Sequence, residues 1–298
     1  MILVCGASGQ MGGRIVRGLR AAGSPVRALV RPRSDAAGLG ELGVELIEGD
    51  FRDVGSLRRA VSGVETVVST VTVIARALAG EKDEDFHRVD VVGHGDLIAA
   101  AEAAGVGRFV FVSVARVRLE PAASTPLGIG KIATEDRLFG SALREVIVRA
   151  DQLQELWLSP VAQFDWPARK VVIFGNGETP TRYVATDDVA DAIVRLTLAD
   201  DPPRMLEVGG PDPLTRKQAV EVFERALGEP IRRRHVPRAL LRLGAVGLRR
   251  FRPALASIVG GALCADLYPA TWDDRPLREL GIEPRSVQAY ADAVTRSA

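Results

Sequence analysis

Three glycines, Gly6, Gly9 and Gly12, follow an apolar run at the start of the chain. A strand that turns at Gly6 into a helix exposes unpaired backbone N–H groups, and the helix N-terminus adds partial positive charge. This arrangement suits a pyrophosphate, and its position inside a βαβ unit strengthens a motif that is weak alone. The residues expected to bind a dinucleotide here are Gly6, Ser8, Gly9, Gln10, Met11 and Gly12.

The residues after the second apolar run indicate which dinucleotide is bound. Arg31, Pro32 and Arg33 stand where an NAD site usually has an acidic residue that accepts from the ribose hydroxyls. The guanidinium groups of Arg31 and Arg33 suit a 2′-phosphate, so the sequence favours NADP(H), with NAD(H) as the alternative. The alternative is that Arg31 and Arg33 bind no ligand and are solvated arginines of a surface loop.

Two further segments follow predicted strands and are expected beside the cofactor. Asp50 can accept from the adenine amine while Phe51 covers the ring, although a turn aspartate explains Asp50 nearly as well. Ser69, Thr70 and Val71 are expected to contact the cofactor mainly through their backbone.

The elements that must position these residues alternate in type through the first half of the chain. Short apolar runs separated by amphipathic stretches predict an α/β fold with a Rossmann-type doubly wound parallel sheet, which binds ligands at the carboxyl ends of its strands. The predicted strands are Ile2–Cys5, Val26–Val30, Glu45–Glu48, Thr66–Ser69, Arg108–Ser113 and Glu145–Val148. The predicted helices are Met11–Ala22, Val54–Val61, Val89–Ala104 and Lys131–Ser141.

After Ala150 the alternation weakens, which indicates a chain that leaves the sheet and returns. Strands at Lys170–Phe174 and Met205–Val208, helices at Asp187–Leu198 and Arg216–Leu227, and a helical region from about Pro230 are expected. We therefore expect an NAD(P)-binding domain at residues 1–150, with returning segments at about 184–210. Residues 151–183 and 211–298 are expected to form a smaller, discontinuous, mainly helical cap over a crevice that takes a small-molecule substrate.

The composition limits the partners of this chain. Its 39 basic and 38 acidic residues nearly cancel, so no overall field attracts nucleic acid. We expect a cytoplasmic protein, because two cysteines without metal-ligand spacing fit a reducing compartment and no signal peptide is evident. The apolar stretch Ala254–Ala265 is too short to span a bilayer. His87 and His94 lack a third ligand, so no metal site is expected.

One segment departs from this balance of charge. Residues 230–265 contain eight arginines and no acidic residue. Apolar residues such as Leu240, Leu243 and Val246 are interleaved with the arginines, which predicts an amphipathic helix with a basic face. An arginine-rich cap surface explains the segment most simply, while anionic lipid, an acidic substrate or another subunit are further interpretations.

The chain resembles the atypical short-chain dehydrogenase/reductase superfamily, in its NmrA-like, NAD(P)H-binding branch. The segments that carry the resemblance are residues 6–12, 49–53, 103–113, 186–190, 206–211 and 277–284. The Tyr-x-x-x-Lys pair of that superfamily falls on Leu127 and Lys131, so the tyrosine is missing while the lysine remains. The resemblance places Ser113 at the active-site serine position, where it orients a substrate carbonyl or forms only a structural hydrogen bond.

The resemblance implies two functions that share one cofactor site. The first is an NADPH-dependent oxidoreductase that reduces a small carbonyl, enone or quinone, with Lys131 and Ser113 as catalytic residues. In this oxidoreductase, Lys131 binds the nicotinamide ribose or acts as an acid. The remaining interpretation is that Lys131 is an exposed surface lysine. The second is a non-catalytic NADP(H)-binding redox sensor of NmrA-like type with a regulatory protein partner. A homodimer is compatible with either function.

Overall fold

A computed structural model describes residues 1–32, 34, 36–78, 80 and 85–296. Arg33, which was predicted to bind a 2′-phosphate, lies outside the described residues. The chain divides into two compact units. The first consists of Met1–Ser113, Ile129–Arg149 and Val189–Leu206, and the second of Val114–Gly128, Ala150–Asp188 and Glu207–Ala298. Residues 114–128, expected within the nucleotide domain, thus belong to the second unit.

The strands and helices follow one another in α/β order along the chain. The strands are β1 (Ile2–Cys5), β2 (Val26–Val30), β3 (Glu45–Glu48), β4 (Thr66–Ser69), β5 (Arg108–Val114), β6 (Arg144–Ala150), β7 (Phe164–Asp165), β8 (Lys170–Phe174), β9 (Thr181–Arg182), β10 (Met205–Val208), β11 (Pro213–Leu214) and β12 (Arg232–Val236). The helices are α1 (Gln10–Ala21), α2 (Ala37–Gly40), α3 (Val54–Ala60), α4 (Ile74–Leu78), α5 (His94–Ala103), α6 (Pro126–Phe139), α7 (Gln154–Trp157), α8 (Thr186–Leu198), α9 (Arg216–Leu227), α10 (Arg238–Gly247), α11 (Pro253–Leu267), α12 (Arg275–Glu279) and α13 (Val287–Arg296).

The main sheet has seven strands in the order β10-β6-β5-β4-β1-β2-β3. β1 pairs in parallel with both β2 and β4, and every residue of β1 is buried. Parallel strands covered on both faces are continuous apolar runs, which is why the predicted strand bounds agree closely with the structure. The predicted Rossmann-type sheet is confirmed.

A π-helix at His87–Gly93 leads directly into α5, where a single regular helix was predicted. A Cβ atom on Gly93 would lie 2.7 Å from the backbone oxygen of Phe51. The wide π-helical turn therefore joins α5 at a point where two segments of backbone are in close contact, and such turns are frequent at functional sites.

The second unit contains two small sheets as well as helices. β9 pairs with β11, and the other sheet has the order β12-β8-β7. The expectation of helix from about Pro230 was wrong for Arg232–Val236, which form β12, parallel to β8. Four of its five side chains are exposed, so this edge strand has no apolar alternation that sequence reading could detect. No helix within the described part of the chain is long and apolar enough to cross a bilayer.

Helix α9 is anchored in the second unit by its first residue. Thr215 and Gln218 form a capping box at its start, so two backbone N–H groups find side-chain acceptors. The Arg216 side chain is only 7% exposed and donates to the carbonyl oxygens of Val172 (2.8 Å), Trp157 (3.2 Å) and Ala162 (2.8 Å). One guanidinium therefore ties α9 to three separate segments.

We predict that Arg216→Met lowers the free energy of unfolding by about 3 kcal/mol or more, because it leaves buried carbonyl oxygens without donors. The control Arg225→Met changes an exposed arginine of the same helix and should shift that free energy by less than about 0.5 kcal/mol. Urea unfolding followed by circular dichroism measures both. Equal midpoints for the two variants would show that the guanidinium is not an anchor.

Candidate functional site

The turn after β1 requires glycine at two positions. Gly6 has a φ of +85°, and a Cβ atom there would lie 2.5 Å from Thr70 Oγ1. A Cβ atom on Gly12 would lie 2.1 Å from the carbonyl oxygen of Gly6. Both distances are shorter than any contact that such atoms make, so a side chain at Gly12 would displace α1 from the turn. The loop is therefore built for a close approach of helix and strand.

The N-terminus of α1 has no side-chain cap among the described residues. Gly9 occupies the N-cap in an extended conformation, and no acidic residue stands in the first turn. The loop residues Ser8, Gly9 and Gln10 are exposed, and Met11 is half-buried. The positive end of the helix dipole is thus accessible to an anionic ligand.

The end of β4 is bonded to the end of β1. Thr70 donates to the Cys5 carbonyl oxygen through its backbone N–H (3.1 Å) and its hydroxyl (3.2 Å). Ser69 is buried, and its Oγ lies 3.1 Å from Nε2 of His94. Thr70 and Val71 are partly accessible beside the glycine turn, whereas the Ser69 hydroxyl belongs to the interior.

The residues predicted to contact the cofactor after β2 and β3 lie in different environments. Arg31 is half-buried directly after β2. The Asp50 carboxylate accepts from the Arg52 N–H at 2.8 Å, which closes the turn that was weighed as its alternative role. Phe51 departs from the expectation of a ring that covers adenine, because it is 5% exposed and packs edge-on against His94, with ring centroids 4.9 Å apart.

Lys131 lies on α6 and is buried, which excludes the interpretation as a surface lysine. Its Nζ donates to the carbonyl oxygen of Val112 at 2.7 Å and lies 4.6 Å from the centre of the Phe111 ring. Burial lowers the pKa of Lys131 to about 8, while the carboxylates of Asp90 and Glu135 act in the opposite direction. The amine is thus mostly charged at neutral pH and has a pKa suited to proton exchange.

Ser113 forms the structural hydrogen bond that was one of its two interpretations. Its hydroxyl is buried and donates to Glu135 Oε1 at 2.7 Å. Arg149 binds the same carboxylate with two hydrogen bonds, of 2.9 and 2.7 Å. Glu135 and Arg149 were not predicted as site residues, although Glu135 is one helical turn beyond Lys131 and therefore on the same face of α6.

Asp90, in the π-helix, is a second buried carboxylate that sequence reasoning did not assign. Its Oδ2 accepts from the Val73 N–H at 3.1 Å, and its Oδ1 has no hydrogen-bond partner among the described residues. Burial raises the pKa of Asp90, and the positive charge of Lys131 opposes that shift. An acidic residue inside the apolar run Val89–Val92 was the available signal.

Helix α6 approaches the π-helix closely at Gly130. A Cβ atom on Gly130 would lie 2.7 Å from the Cβ atom of Asp90, and the Thr134 hydroxyl donates to the Asp90 carbonyl oxygen at 3.3 Å. This contact fixes the position of Lys131, the next residue of α6. The carboxylates of Asp90 and Glu135 and the amine of Lys131 thus belong to one buried cluster.

The second unit has a buried ion pair of its own, between Arg116 and Asp151. Asp151 also accepts from the backbone N–H groups of Gln152 (2.9 Å) and Arg182 (3.1 Å), and Arg116 lies over the Trp272 ring. Burial raises the pKa of Asp151, and the charge of Arg116 opposes that shift. Since both oxygens of Asp151 are occupied, the pair holds the loops of this unit together.

Tyr183, a tyrosine far along the chain from Leu127, is buried in the same unit. It is part of the hydrophobic cluster that includes Leu158, Phe164 and Phe223. Burial raises the pKa of its hydroxyl, and the positive charge of Arg216 opposes that shift. Its ring is therefore a packing element of the second unit.

Comparison with known proteins agrees with this geometry. Residues 6–200 match the family described as NAD(P)H-binding. The chain is 31% identical over 245 residues to the photosystem II assembly factor Ycf39 of Cyanophora paradoxa, covering 81% of this chain and 73% of that protein. It is 31% identical over 233 residues to the (4-alkanoyl-5-oxo-2,5-dihydrofuran-3-yl)methyl phosphate reductase of Streptomyces griseus, covering 78% and 76%.

Its fold is shared with the NADPH-dependent quinone oxidoreductase QOR2 of Escherichia coli in complex with NADPH. The TM-score is 0.80 over 99% of both chains, at 21% sequence identity. The family match covers well over half of this chain and includes the glycine turn, β4 and Lys131. The chain therefore belongs to the NAD(P)H-binding family.

Proposed function

We propose that the chain is an NADPH-dependent oxidoreductase that reduces a small carbonyl, enone or quinone by hydride transfer. The observation that carries this proposal is the buried ammonium of Lys131, which lies near the carboxyl end of β5 in the same unit as the glycine turn. Burying a charge costs free energy, and lysines are exposed by default. A lysine whose pKa is shifted by burial and by neighbouring carboxylates is typical of an active site.

The residues present fit the proposed cofactor. Gly6 and Gly12 leave a turn that a Cβ atom would fill, and the uncapped start of α1 suits the diphosphate. Arg31 would bind the 2′-phosphate, together with Arg33, which lies outside the described residues. In this proposal the remaining contacts come from Ser8, Gly9, Gln10, Met11, Asp50, Thr70, Val71 and Lys131, whereas the buried side chains of Phe51 and Ser69 do not reach the cofactor.

The chain's own residues would supply binding and charge for the reaction. When bound, NADPH supplies the hydride, and the substrate takes up a proton as well. Lys131 has three N–H donors, of which Val112 takes one within the described residues, so two remain for the ribose hydroxyls. Leu127 has no proton to give, so the proton comes from water or from Lys131 itself.

A second candidate function is a non-catalytic NADP(H)-binding regulator. The observation in its favour is that the Ser113 hydroxyl donates to Glu135, which leaves this hydroxyl without a proton for a substrate carbonyl. The similarity to photosystem II assembly factors also fits a role through a protein partner. Both candidates require the cofactor site, and only turnover separates them.

We predict that Gly12→Ala raises the Kd for NADPH at least about fivefold, because overpacking of this kind costs about 1–3 kcal/mol. The control Gly13→Ala changes the next residue, where a Cβ atom meets nothing closer than 3.4 Å, and should bind NADPH normally. Fluorescence titration gives both constants, and thermal unfolding checks that both variants fold. Unchanged affinity in a folded Gly12→Ala variant would refute the assignment of the turn.

We predict that Arg31→Ala reduces the preference for NADPH over NADH by about tenfold or more, since a hydrogen bond to a charged group contributes about 1.5–3 kcal/mol. The ratio of the two Kd values is the measurement. Arg195→Ala removes an exposed arginine on α8 and serves as the control. If Arg31→Ala weakens both nucleotides equally, Arg31 does not recognise the 2′-phosphate.

We predict that kcat/KM for NADPH oxidation by quinones and enones falls as the pH rises through about 8, because Lys131 then loses its charge. Lys131→Met should lower kcat/KM at least about tenfold and abolish this pH step, since ribose positioning is lost. Lys131→Arg should keep the charge and also lack the step. The control Lys170→Met, at an exposed lysine, should retain the wild-type profile.

The same assay distinguishes the two functions. A wild-type protein that binds NADPH but oxidises it with no member of the acceptor panel would contradict the oxidoreductase and favour the regulator. A pH step that persists in Lys131→Met would assign the titration to another group.

A further inference from the structure

Helix α10 in the second unit exposes large apolar side chains. Leu240, Leu243 and Val246 are 58%, 71% and 63% exposed, and Phe251 in the turn after the helix is 80% exposed. The opposite side of α10, with Leu241 and Ala245, is buried. At 3.6 residues per turn, the three exposed residues of the helix lie within an arc of about 120°.

Unpartnered arginines accompany this apolar face. Arg242, Arg250 and Arg252 are exposed, and within the described residues none of their guanidinium groups forms an ion pair or a hydrogen bond. By contrast, Arg233 pairs with Glu224 and Arg238 pairs with Asp266. Three uncompensated positive charges therefore lie on α10 and in the following turn, in addition to the exposed Arg232 and Arg234 of β12.

The combination of charge and apolar surface identifies the partner. A cluster of exposed apolar side chains marks an interaction surface, whereas single ones do not. A second copy of this chain on a two-fold axis would bring the same arginines face to face, and like charges repel. An anionic surface satisfies the arginines, and a lipid bilayer also accepts the leucines and the phenylalanine.

We propose that α10 and the turn through Arg252 bind the surface of a bilayer that contains anionic phospholipid. The helix lies in the plane of the interface, with Leu240, Leu243, Val246 and Phe251 inserted below the headgroups. Arg242, Arg250 and Arg252 contact the phosphates of those headgroups. This is attachment to one surface of the membrane, and it does not depend on the proposed reductase activity.

The test is co-sedimentation of the full chain with vesicles. Vesicles of phosphatidylcholine with about 30 mol% phosphatidylglycerol are compared with vesicles of phosphatidylcholine alone, since anionic lipid attracts clustered arginines. We expect the protein to sediment with the anionic vesicles and to be released from them as the salt concentration rises. Phosphatidylcholine alone should bind at least about tenfold more weakly.

Two pairs of variants separate the apolar and the charged contributions. Leu243→Glu should lower the vesicle partition coefficient at least about tenfold, while Leu198→Glu, an exposed leucine on α8, should leave it unchanged. Arg250→Glu/Arg252→Glu should lower it at least about tenfold, because each basic residue near an anionic surface contributes about fivefold. Arg195→Glu/Arg225→Glu has the same change in net charge at exposed sites elsewhere and should retain binding.

Three results would overturn the proposal. The first is wild-type protein that stays in the supernatant with anionic vesicles at low salt. The second is equal partition of Leu243→Glu and Leu198→Glu. The third is a wild-type dimer in sedimentation velocity that Leu243→Glu converts to monomer, which would identify a second copy as the occupant. Circular dichroism on each variant excludes loss of folding as the cause.

Discussion

The close approach of Gly12 to the carbonyl oxygen of Gly6 is the constraint on which the nucleotide-binding geometry depends. With 2.1 Å between that oxygen and the place where a Cβ atom would be, only glycine lets α1 start directly above β1. Thr70 then bonds β4 to the end of β1, and its hydroxyl occupies the space that a side chain at Gly6 would need. Helix, turn and two strand ends therefore fit together only with these residue types, and the start of α1 is left accessible to an anion.

A buried lysine keeps its charge only where carboxylates compensate for lost hydration. Desolvation lowers the pKa of Lys131, and Asp90 and Glu135 limit the shift so that it ends at about 8. Glu135 can take part because Arg149 binds both of its oxygens. Removal of either carboxylate would leave desolvation less opposed and the amine less charged at neutral pH. The cluster thus adjusts the lysine through neighbours that need not touch a ligand.

Sequence reading succeeded where burial alone decides the pattern and failed where the environment decides it. Strands β1, β2 and β4 were predicted to the residue because they are short, mainly apolar runs bounded by turns, and β3 was predicted to the residue although most of it is exposed. The exposed edge strand β12 lacks such a pattern and was taken for helix. The glycine turn was evident from spacing, but the burial of Lys131 was not, since lysine is exposed by default. The burial of Asp90 and Phe51 was not evident either, because it depends on the π-helix and on the tertiary contacts around it.

The absence of a tyrosine bears on which acceptors suit the proposed reaction. Reduction of a simple ketone generates an alkoxide, a strong base that needs a proton donor in contact with it. Leu127 cannot donate, and the Ser113 proton is committed to Glu135. A quinone gives instead a phenolate, whose pKa of about 10 is like that of tyrosine, and an enone gives a delocalised enolate. Water can protonate such products without a positioned acid, and in the proposed reaction the ammonium of Lys131 would stabilise their negative charge while they form. Within the proposed class, the residues of this site therefore favour quinones and enones over simple ketones.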